Sequence, residues 1–298
     1  MPSVLGEMES ITRLGWRSGS LRSLDVHSIP PNLVHLILTD NQLEYINDPN
    51  IFTKLKNVRK LMLSHNKLRE FGNNNNGGID QLQNLELLRI AGNQLTEIPT
   101  ELWKLPKLTW LTISGNPIIS IQQQQNHLPR VHPSDLEYMG TDLGRGASGT
   151  VKLYKWNTNN VAVKLIHGVT SDGKAEDELA IYRAVGSDGL DHRVIGCTGV
   201  LVSEDNNEEI IIKGVIMPPL PANLIDLALP PTIQEVTTDR WTEHNFIVNT
   251  NFVKNVLKDS VTALDFLHNT IHVSHGDFYA HNMKVDPQTG RVYLLDFG

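Results

Sequence analysis

The first part of the chain repeats one spacing of apolar residues four times. The spacing is L-x-x-L-x-L-x-x-N-x-L, with isoleucine or valine at some leucine positions, and the copies begin at Leu33, Val58, Leu85 and Leu108. Alternating residues in each copy predict a short strand, and the asparagine falls where the chain leaves it. A single unit cannot bury its own apolar face, so we expect the units to stack around one continuous core. The asparagines, which we expect to bond the backbone of neighbouring turns, are Asn41, Asn66, Asn93 and Asn116.

This pattern resembles the leucine-rich-repeat family over roughly residues 20 to 120. The resemblance implies an α/β repeat solenoid that binds a protein partner on its concave side. The strand positions predicted to face outward there are Ile37, Thr39, Met62, Ser64, Arg89, Ala91, Thr112 and Ser114. A degenerate half-repeat at Leu21, Leu24 and Val26 predicts an N-terminal cap. Low-complexity tracts at 73–76 and 122–125 predict an exposed loop and the start of a linker.

A different pattern begins after the linker, with a strand, a glycine loop and a second strand. Residues 144–151 fit G-x-G-x-x-G-x-V, in which glycines let backbone N–H groups approach phosphate oxygens closely. A dinucleotide-binding turn would continue into a helix, whereas Thr150–Tyr154 alternates like a strand. The sequence therefore favours a phosphate-binding hairpin over a Rossmann unit.

One lysine, Lys164, stands inside the apolar strand Asn160–Ile166, and a lysine in that position needs an anion. The next segment, 174–185, has helical composition. Glu178 shares the inward stripe of that helix with Ile181 and Val185, so we select Glu178 as the partner of Lys164. Glu176, which is turned away from the stripe, is the alternative.

The segment 275–298 contains H-x-D-x-x-x-x-N followed by D-F-G. Together with the glycine loop, the lysine of V-A-V-K and the helix glutamate, this order resembles the protein-kinase family over residues 134 to 298. The resemblance implies an α+β kinase-like domain that uses ATP and Mg²⁺ to phosphorylate a protein hydroxyl, with Ser/Thr preferred over Tyr. The domains predicted are a repeat domain (1–120), a linker (121–133) and the kinase-like domain (134–298).

The resemblance implies a role for each matching residue. Asp277 is the catalytic base, Lys164 and Glu178 hold the phosphates, and Asn282 and Asp296 bind magnesium. The residues expected to contact the nucleotide are Gly144, Gly146, Ala147, Gly149, Val151, Ala162, Lys164 and Met217.

The sequence departs from the kinase pattern at its catalytic loop. Gly276 replaces the arginine before the aspartate, and Tyr279 replaces the lysine two positions after it. His281 is a candidate to replace part of the missing positive charge, and a packing role is its alternative. A pseudokinase-like nucleotide-binding scaffold and a small-molecule kinase are therefore kept as alternative functions.

The segment that follows D-F-G in kinases, with the helical bulk of the larger lobe, does not occur in this sequence. We therefore expect the chain to be a fragment of a longer product, or a truncated and poorly active form. We also expect apolar residues before the catalytic loop to have few packing partners, namely Phe252, Val256, Leu264, Phe266 and Leu267.

The composition of the chain limits the kinds of partner that it is expected to bind. The net charge of -7, with no cluster of basic residues, predicts no nucleic-acid partner. No apolar run reaches the length of a membrane span, and the single cysteine, Cys197, cannot form an internal disulfide. These features predict a cytoplasmic protein, and the two resemblances imply that its partners are ATP and a protein bound by the repeats.

Overall fold

The computed structural model describes residues 1–46, 48–72, 78–118, 128–146, 149–166, 169–170, 173–204, 210–232, 234–241 and 248–297. Ala147, Gly298 and both low-complexity tracts lie outside these ranges. The chain divides into two compact units. The first comprises Met1–Ser120, Ser171–Lys174 and Pro231–Thr238, and the second comprises Ile121–Thr170, Ala175–Pro230 and Asp239–Gly298.

The first unit is built on a parallel sheet with one strand per repeat. Its elements are β1 (Arg13–Gly15), β2 (His35–Ile37), β3 (Tyr45–Ile46), α1 (Pro49–Lys54), β4 (Lys60–Met62), β5 (Glu70–Phe71), β6 (Leu87–Arg89) and β7 (Trp110–Thr112). The main sheet has the order β1-β2-β4-β6-β7, and β3 pairs with β5 separately. The short helix α1 begins where the Asp48 side chain accepts a hydrogen bond from the Asn50 N–H, with Pro49 in its first turn.

The repeat leucines form one core, as predicted. Leu33, Leu36, Leu38 and their equivalents in the second and third repeats are buried in a single cluster, and those of the fourth repeat, Leu108, Leu111 and Ile113, are half-buried against it. The asparagine ladder is also present. The Asn66 amide donates to the Leu38 and Leu63 carbonyl oxygens and accepts from the Leu43 N–H at 3.0 Å. These asparagines supply hydrogen-bond partners to backbone groups in the turns between strands, which would otherwise have none.

Two expectations for this unit were wrong in detail. The first strand is β1, which lies before the predicted half-repeat at Leu21, and it pairs with β2 in parallel. On the predicted concave face, Ile37, Arg89 and Ser114 are half-buried. The other five are buried, namely Thr39, Met62, Ser64, Ala91 and Thr112. Strands about 4.8 Å apart let long side chains cover short neighbours, and Arg89 lies 4.9 Å from the centre of the Trp110 ring.

The remaining elements follow in the second part of the chain. They are β8 (Arg130–Val131), β9 (Leu136–Arg145), β10 (Gly149–Trp156), β11 (Asn159–Ile166), β12 (Val169–Thr170), β13 (Gly173–Lys174), α2 (Ala175–Val185), β14 (Gly199–Glu204), β15 (Ile210–Met217), β16 (Ile225–Asp226), α3 (Thr250–Asp265), β17 (Met283–Val285) and β18 (Val292–Leu294). A six-stranded sheet has the order β8-β14-β15-β11-β10-β9. A smaller sheet has the order β16-β17-β18.

Three of the five residues expected to have few packing partners are buried, one in α3 and two directly after it. Phe252, Phe266 and Leu267 are buried in the cluster that contains Met283 and Val292. The expectation that these three have few partners was wrong, because the β17–β18 hairpin covers their face. The apolar residues that α3 leaves exposed are Val253, Leu257 and Val261.

Candidate active site

Lys164 is the centre of a buried polar cluster in the second unit. It lies in the middle of β11 between neighbours on both sides, because β11 pairs with β10 and with β15. Its side chain is only 3% exposed. An ammonium group in such a place requires carboxylate partners, since an isolated buried charge costs several kcal/mol.

Two carboxylates reach Lys164 from distant parts of the sequence. Its Nζ lies 2.5 Å from Glu178 Oε1 and 2.7 Å from Asp296 Oδ1. Glu178 comes from the first half of α2, and Asp296 follows β18. The structure therefore brings together three of the predicted site residues, and it places Glu178 in the position that the helical stripe indicated.

The cluster shifts the pKa values of its members. Burial alone would lower the pKa of Lys164, but Tyr182, Asp296 and Glu178 outweigh it, so the pKa is raised and the ammonium stays charged. Desolvation would raise the pKa of Asp296, but the charge and hydrogen bond of Lys164 dominate and lower it. Asp296 also has a left-handed backbone with φ of 48°. Such a conformation is strained for a residue other than glycine, and strain of this kind gathers at functional sites.

Tyr182 belongs to this cluster and was not identified from the sequence. It lies one helical turn after Glu178, is 1% exposed, and its hydroxyl is 3.4 Å from Asp296 Oδ1. Its ring packs edge-on against Phe297 at 5.0 Å. Burial raises the pKa of Tyr182, so the hydroxyl keeps its proton. The i+4 spacing from Glu178 was the signal that could have revealed it.

The predicted catalytic loop is a turn held by its own polar groups. His275 is buried, its Nε2 bonds the Leu295 carbonyl oxygen at 2.9 Å, and its Nδ1 accepts from the Asp277 N–H. Burial lowers the pKa of His275 to about 4, so the imidazole is neutral. The Asn282 amide donates to Asp277 Oδ2 at 2.8 Å. Asp277 and Asn282 are thus adjacent, as the motif requires.

Gly276 has a structural reason for standing where kinases have arginine. Its φ is 79°, in the left-handed region that glycine adopts without a Cβ clash. An arginine in this backbone would be strained by about 1–2 kcal/mol.

A second polar contact on this loop involves Asp239, which belongs to none of the sequence motifs. Asp239 Oδ1 lies 2.6 Å from His281 Nδ1, and its Oδ2 accepts from the His281 N–H at 3.2 Å. The other ring nitrogen, Nε2, lies 3.9 Å from Asp277 Oδ2. All three side chains are less than one-fifth exposed.

The apolar residues expected at a nucleotide base also lie together. Ala162 pairs with Met217 across β11 and β15, and both are buried in the cluster against which Val151 packs. Val151 pairs with Lys164. Strands β10, β11 and β15 therefore place an apolar surface beside Lys164.

The glycine loop separates into two kinds of position. A Cβ added to Gly144 or Gly146 would meet nothing within 4 Å, so open space lies above the backbone there. At Gly149 the added Cβ would lie 2.3 Å from the Leu165 carbonyl oxygen. Gly149 is thus required by the pairing of β10 with β11, whatever part it also has in binding a ligand.

The described parts of the chain show neither a metal-binding cluster nor a membrane-spanning helix. They contain no group of three or more His, Cys, Asp or Glu side chains arranged to hold a metal ion. None of their helices combines the length and apolar character needed to cross a membrane.

Comparison with known proteins identifies relatives of the repeats. A family model described as leucine-rich repeat and WD repeat-containing protein 1, LRR, matches residues 25–180, just over half of the chain. Transforming growth factor beta activator LRRC33 of Danio rerio is 33% identical over 99 residues, which cover 31% of this chain and 14% of that protein. Podocan of Mus musculus is 35% identical over 105 residues, which cover 35% of this chain and 16% of that protein.

A solved structure, that of the Leptospira interrogans LRR protein LIC12759, is also similar. It is 31% identical, with a TM-score of 0.36, and the match covers 39% of this chain and 29% of that one. The chain spans less than one-fifth of each of the two curated relatives.

Proposed function

The chain belongs to the leucine-rich-repeat family described as leucine-rich repeat and WD repeat-containing protein 1, LRR, and from this premise we propose a division of labour between its two units. The first unit binds a protein partner through its repeats. The second unit transfers the γ-phosphoryl group of ATP to a hydroxyl group, as a protein kinase does.

The observation that carries the second half of this proposal is the convergence of three charged groups on one point. Lys164 and Asp296 are 132 positions apart in sequence, yet their side chains lie 2.7 Å apart with Glu178 on the same ammonium. A buried ion pair is a costly way to stabilise a core, because well-packed apolar residues commonly do as well or better. A cluster that perturbs the pKa values of its members in this way supports a functional site.

The residues present fit ATP and Mg²⁺. Lys164 would hold phosphate oxygens, and the open space above Gly144 and Gly146 leaves room for phosphates beside the loop backbone. Asn282 and Asp296 offer the oxygen ligands that Mg²⁺ prefers. The apolar surface of Val151, Ala162 and Met217 suits a nucleotide base. When bound, ATP supplies the phosphoryl group and Mg²⁺ neutralises its charge.

Asp277 would act as the base of the reaction. Asn282 fixes one of its oxygens by a hydrogen bond of 2.8 Å, so the carboxylate has a defined direction. A base must lie within hydrogen-bond reach of the proton that it removes, and an oriented carboxylate shortens the search for that geometry.

The repeats would choose the partner or substrate. Leucine-rich repeats present a continuous sheet face, and here the half-buried side chains on that face are Ile37, Arg89 and Ser114. The protein partner is therefore expected to contact a surface of low charge.

A second function, nucleotide binding without transfer, is favoured by one observation. The catalytic loop has Gly276 and Tyr279 where kinases carry cations. A site without a positioned cation loses transition-state stabilisation, commonly by orders of magnitude in rate.

Two measurements separate these functions. Binding of ATP at 100 times its Kd would raise the stability of the chain by about 2.7 kcal/mol, which raises Tm by about 5 °C or more. Lys164→Met should remove that rise. Radiolabel transfer from ATP to a protein substrate should then be lost in Asp277→Asn, while ATP binding is kept. If ATP stabilises neither the wild-type protein nor Lys164→Met, both functions are rejected.

A cytoplasmic location is part of the same proposal. Its support is the single cysteine, Cys197, which is buried and cannot form a disulfide within the chain. Microscopy of a tagged chain tests the location.

A further inference from the structure

We propose that Asp259 is a positioning residue that joins the segment after α2 to the β17–β18 hairpin, and so aligns Glu178 and Asp296 on Lys164. This inference rests on the proposed nucleotide site and adds to it a residue of α3 that belongs to no sequence motif.

Asp259 is a buried carboxylate on α3 that contacts two other segments of the chain. Its side chain is 2% exposed. Its Oδ2 accepts hydrogen bonds from Arg291 Nε at 2.7 Å and from the Val292 N–H at 3.0 Å. Its Oδ1 lies 3.6 Å from Arg193 Nε. A buried carboxylate requires partners of this kind, so Asp259 holds Arg193 and the start of β18 together.

The start of β18 leads directly to the site. Val292 is the first residue of the strand, and Asp296 follows the end of the strand. Between them, the Leu295 N–H donates to the Asn282 carbonyl oxygen at 2.9 Å. Asp259 therefore fixes the point at which the strand begins, and the length of the strand fixes the place that Asp296 reaches.

The contact with Arg193 leads to α2. The Leu294 N–H donates to the Arg193 carbonyl oxygen at 2.8 Å, and the two segments form a parallel bridge beside this bond. The same segment returns to the helix, because the Cys197 N–H donates to the Tyr182 carbonyl oxygen at 3.3 Å. Tyr182 lies one helical turn after Glu178. The segment after α2 is thus bonded both to β18 and to the helix that carries Glu178.

Arg193 has a backbone conformation that its surroundings must hold. Its φ is 67°, in the left-handed region, which is uncommon for a residue other than glycine. Such a conformation persists only where neighbouring contacts determine it. The Arg193 guanidinium also lies 5.0 Å from the centre of the Tyr293 ring, which belongs to β18. Contacts with α3 and with β18 together therefore hold this turn.

A purely structural ion pair is the competing explanation for Asp259. Apolar residues commonly replace a buried ion pair without loss of stability, so stability alone is a weak reason for a charge in this place. The partners of Asp259 lie instead on the two segments that carry Glu178 and Asp296. Packed segments of this kind can change affinity at a site that the altered residue does not touch.

Magnesium-dependent ATP binding tests this role through a double-mutant cycle. Asp259→Asn keeps the shape of the side chain and removes both ion pairs. It should reduce the ratio of the Kd for ATP without Mg²⁺ to the Kd with Mg²⁺ by about tenfold. Asp296→Asn reduces the same ratio directly. Adding Asp259→Asn to Asp296→Asn should reduce the ratio no further, because the first residue acts through the second.

Val202→Ala is the control for a simple loss of stability. Val202 is 1% exposed in β14, so its truncation should lower Tm and leave the magnesium ratio unchanged. Hydrogen exchange in the ligand-free chain gives a readout that needs no nucleotide. Asp259→Asn should speed exchange of the Leu294 amide, which bonds Arg193, more than Val202→Ala does.

The outcomes separate the inference from the proposed function. A wild-type magnesium ratio in Asp259→Asn, with only a lower Tm, would overturn the inference and leave the proposed function intact. A wild-type chain that does not bind ATP would reject both together. If Asp259→Asn does not fold, Arg193→Gln decides the case, because it removes one ion pair and keeps Arg291 on Asp259. A lower magnesium ratio in Arg193→Gln supports the inference, and a wild-type ratio overturns it.

Discussion

Removing one member of the Lys164–Glu178 pair should destabilise the second unit strongly, whereas replacing both members should not. The two side chains are 3% and 9% exposed, so neither is well solvated when its partner is lost. Breaking a buried pair costs about 3–5 kcal/mol. Glu178→Met should lie near the lower end, about 3 kcal/mol, because Lys164 keeps Asp296 at 2.7 Å.

The double variant Lys164→Met/Glu178→Met places two unbranched apolar side chains in the site and leaves Asp296, whose side chain is 57% exposed, to be solvated by water. It should fold within about 1 kcal/mol of the wild type, since apolar replacement of a whole buried pair is commonly neutral or stabilising. The coupling energy of the cycle would then exceed about 2 kcal/mol. The double variant should nevertheless fail to bind ATP. The effect of the charged residues on stability would then be separated from their role in ATP binding.

Denaturant unfolding followed by hydrogen exchange on peptides from β10 and β11 reports the second unit without interference from the repeats. Glu86→Gln is the matched control, and because Glu86 lies in the first unit its effect is followed on peptides from β4 and β6. The Arg59–Glu86 pair has a nitrogen–oxygen distance of 2.7 Å, close to the 2.5 Å of Lys164–Glu178, but its side chains are 39% and 19% exposed, so its loss should cost at most about 1 kcal/mol. A cost below about 1 kcal/mol for Glu178→Met, or a double variant as unstable as the sum of the singles, would refute the reasoning.

Three further predictions concern the fold and its pH dependence. Asn66→Ala should cost the first unit about 3 kcal/mol in denaturant unfolding, because buried backbone groups lose their partners; a cost below about 1 kcal/mol would contradict the ladder. Gly149→Ala should destabilise the second unit by more than about 1 kcal/mol through its clash at 2.3 Å, whereas Gly144→Ala should leave the melting temperature unchanged. The pKa of His275 is lowered from 6.5 to about 4 by burial, so its stabilisation is complete above pH 6.5 and declines as pH falls toward 4. That decline should amount to about 3 kcal/mol, and it should vanish in His275→Gln if the reasoning is right.

The sequence predicted the repeats well because strand geometry and leucine spacing are directly linked. Inward positions alternate within each strand, so the spacing fixes which side chains meet in the core. The first strand was missed because Trp16 and Gly19 stand where the other repeats have leucine and asparagine. The register of β1 was nevertheless present in Ile11, Leu14 and Trp16, and the Gly19 N–H still bonds Asn41 Oδ1 at 3.1 Å.

Helical periodicity also separated the faces of α2 and α3, but it could not say what covers each face. For α2, the inward apolar stripe correctly indicated that Glu178 lies beside Lys164. A lysine buried in a strand needs an acidic partner, and the stripe showed which acid of the helix faces it. For α3, the residues that pack on the helix come from the β17–β18 hairpin. The position of that hairpin depends on tertiary contacts, which helical periodicity does not reveal. The expectation of few packing partners was therefore wrong for three of the five residues.

The polar site was predictable only where a motif had fixed spacing. Asp277 and Asn282 are five positions apart, and their contact follows from the turn between them. Asp239 and His281 are 42 positions apart, and no local pattern joins them. Contacts of this kind require the tertiary fold, because loop closure brings together groups that the sequence places independently.

Calorimetric titration of ATP, with and without Mg²⁺, into the wild-type chain and into Asp296→Asn tests the central claim most directly. That claim is that Lys164, Glu178, Asn282 and Asp296 together form a magnesium-dependent ATP site. The account predicts that the wild-type chain binds ATP more tightly with Mg²⁺, and that Asp296→Asn loses the magnesium dependence by at least about tenfold in Kd. Absence of binding to the wild-type chain, or an identical magnesium response in both chains, would contradict it.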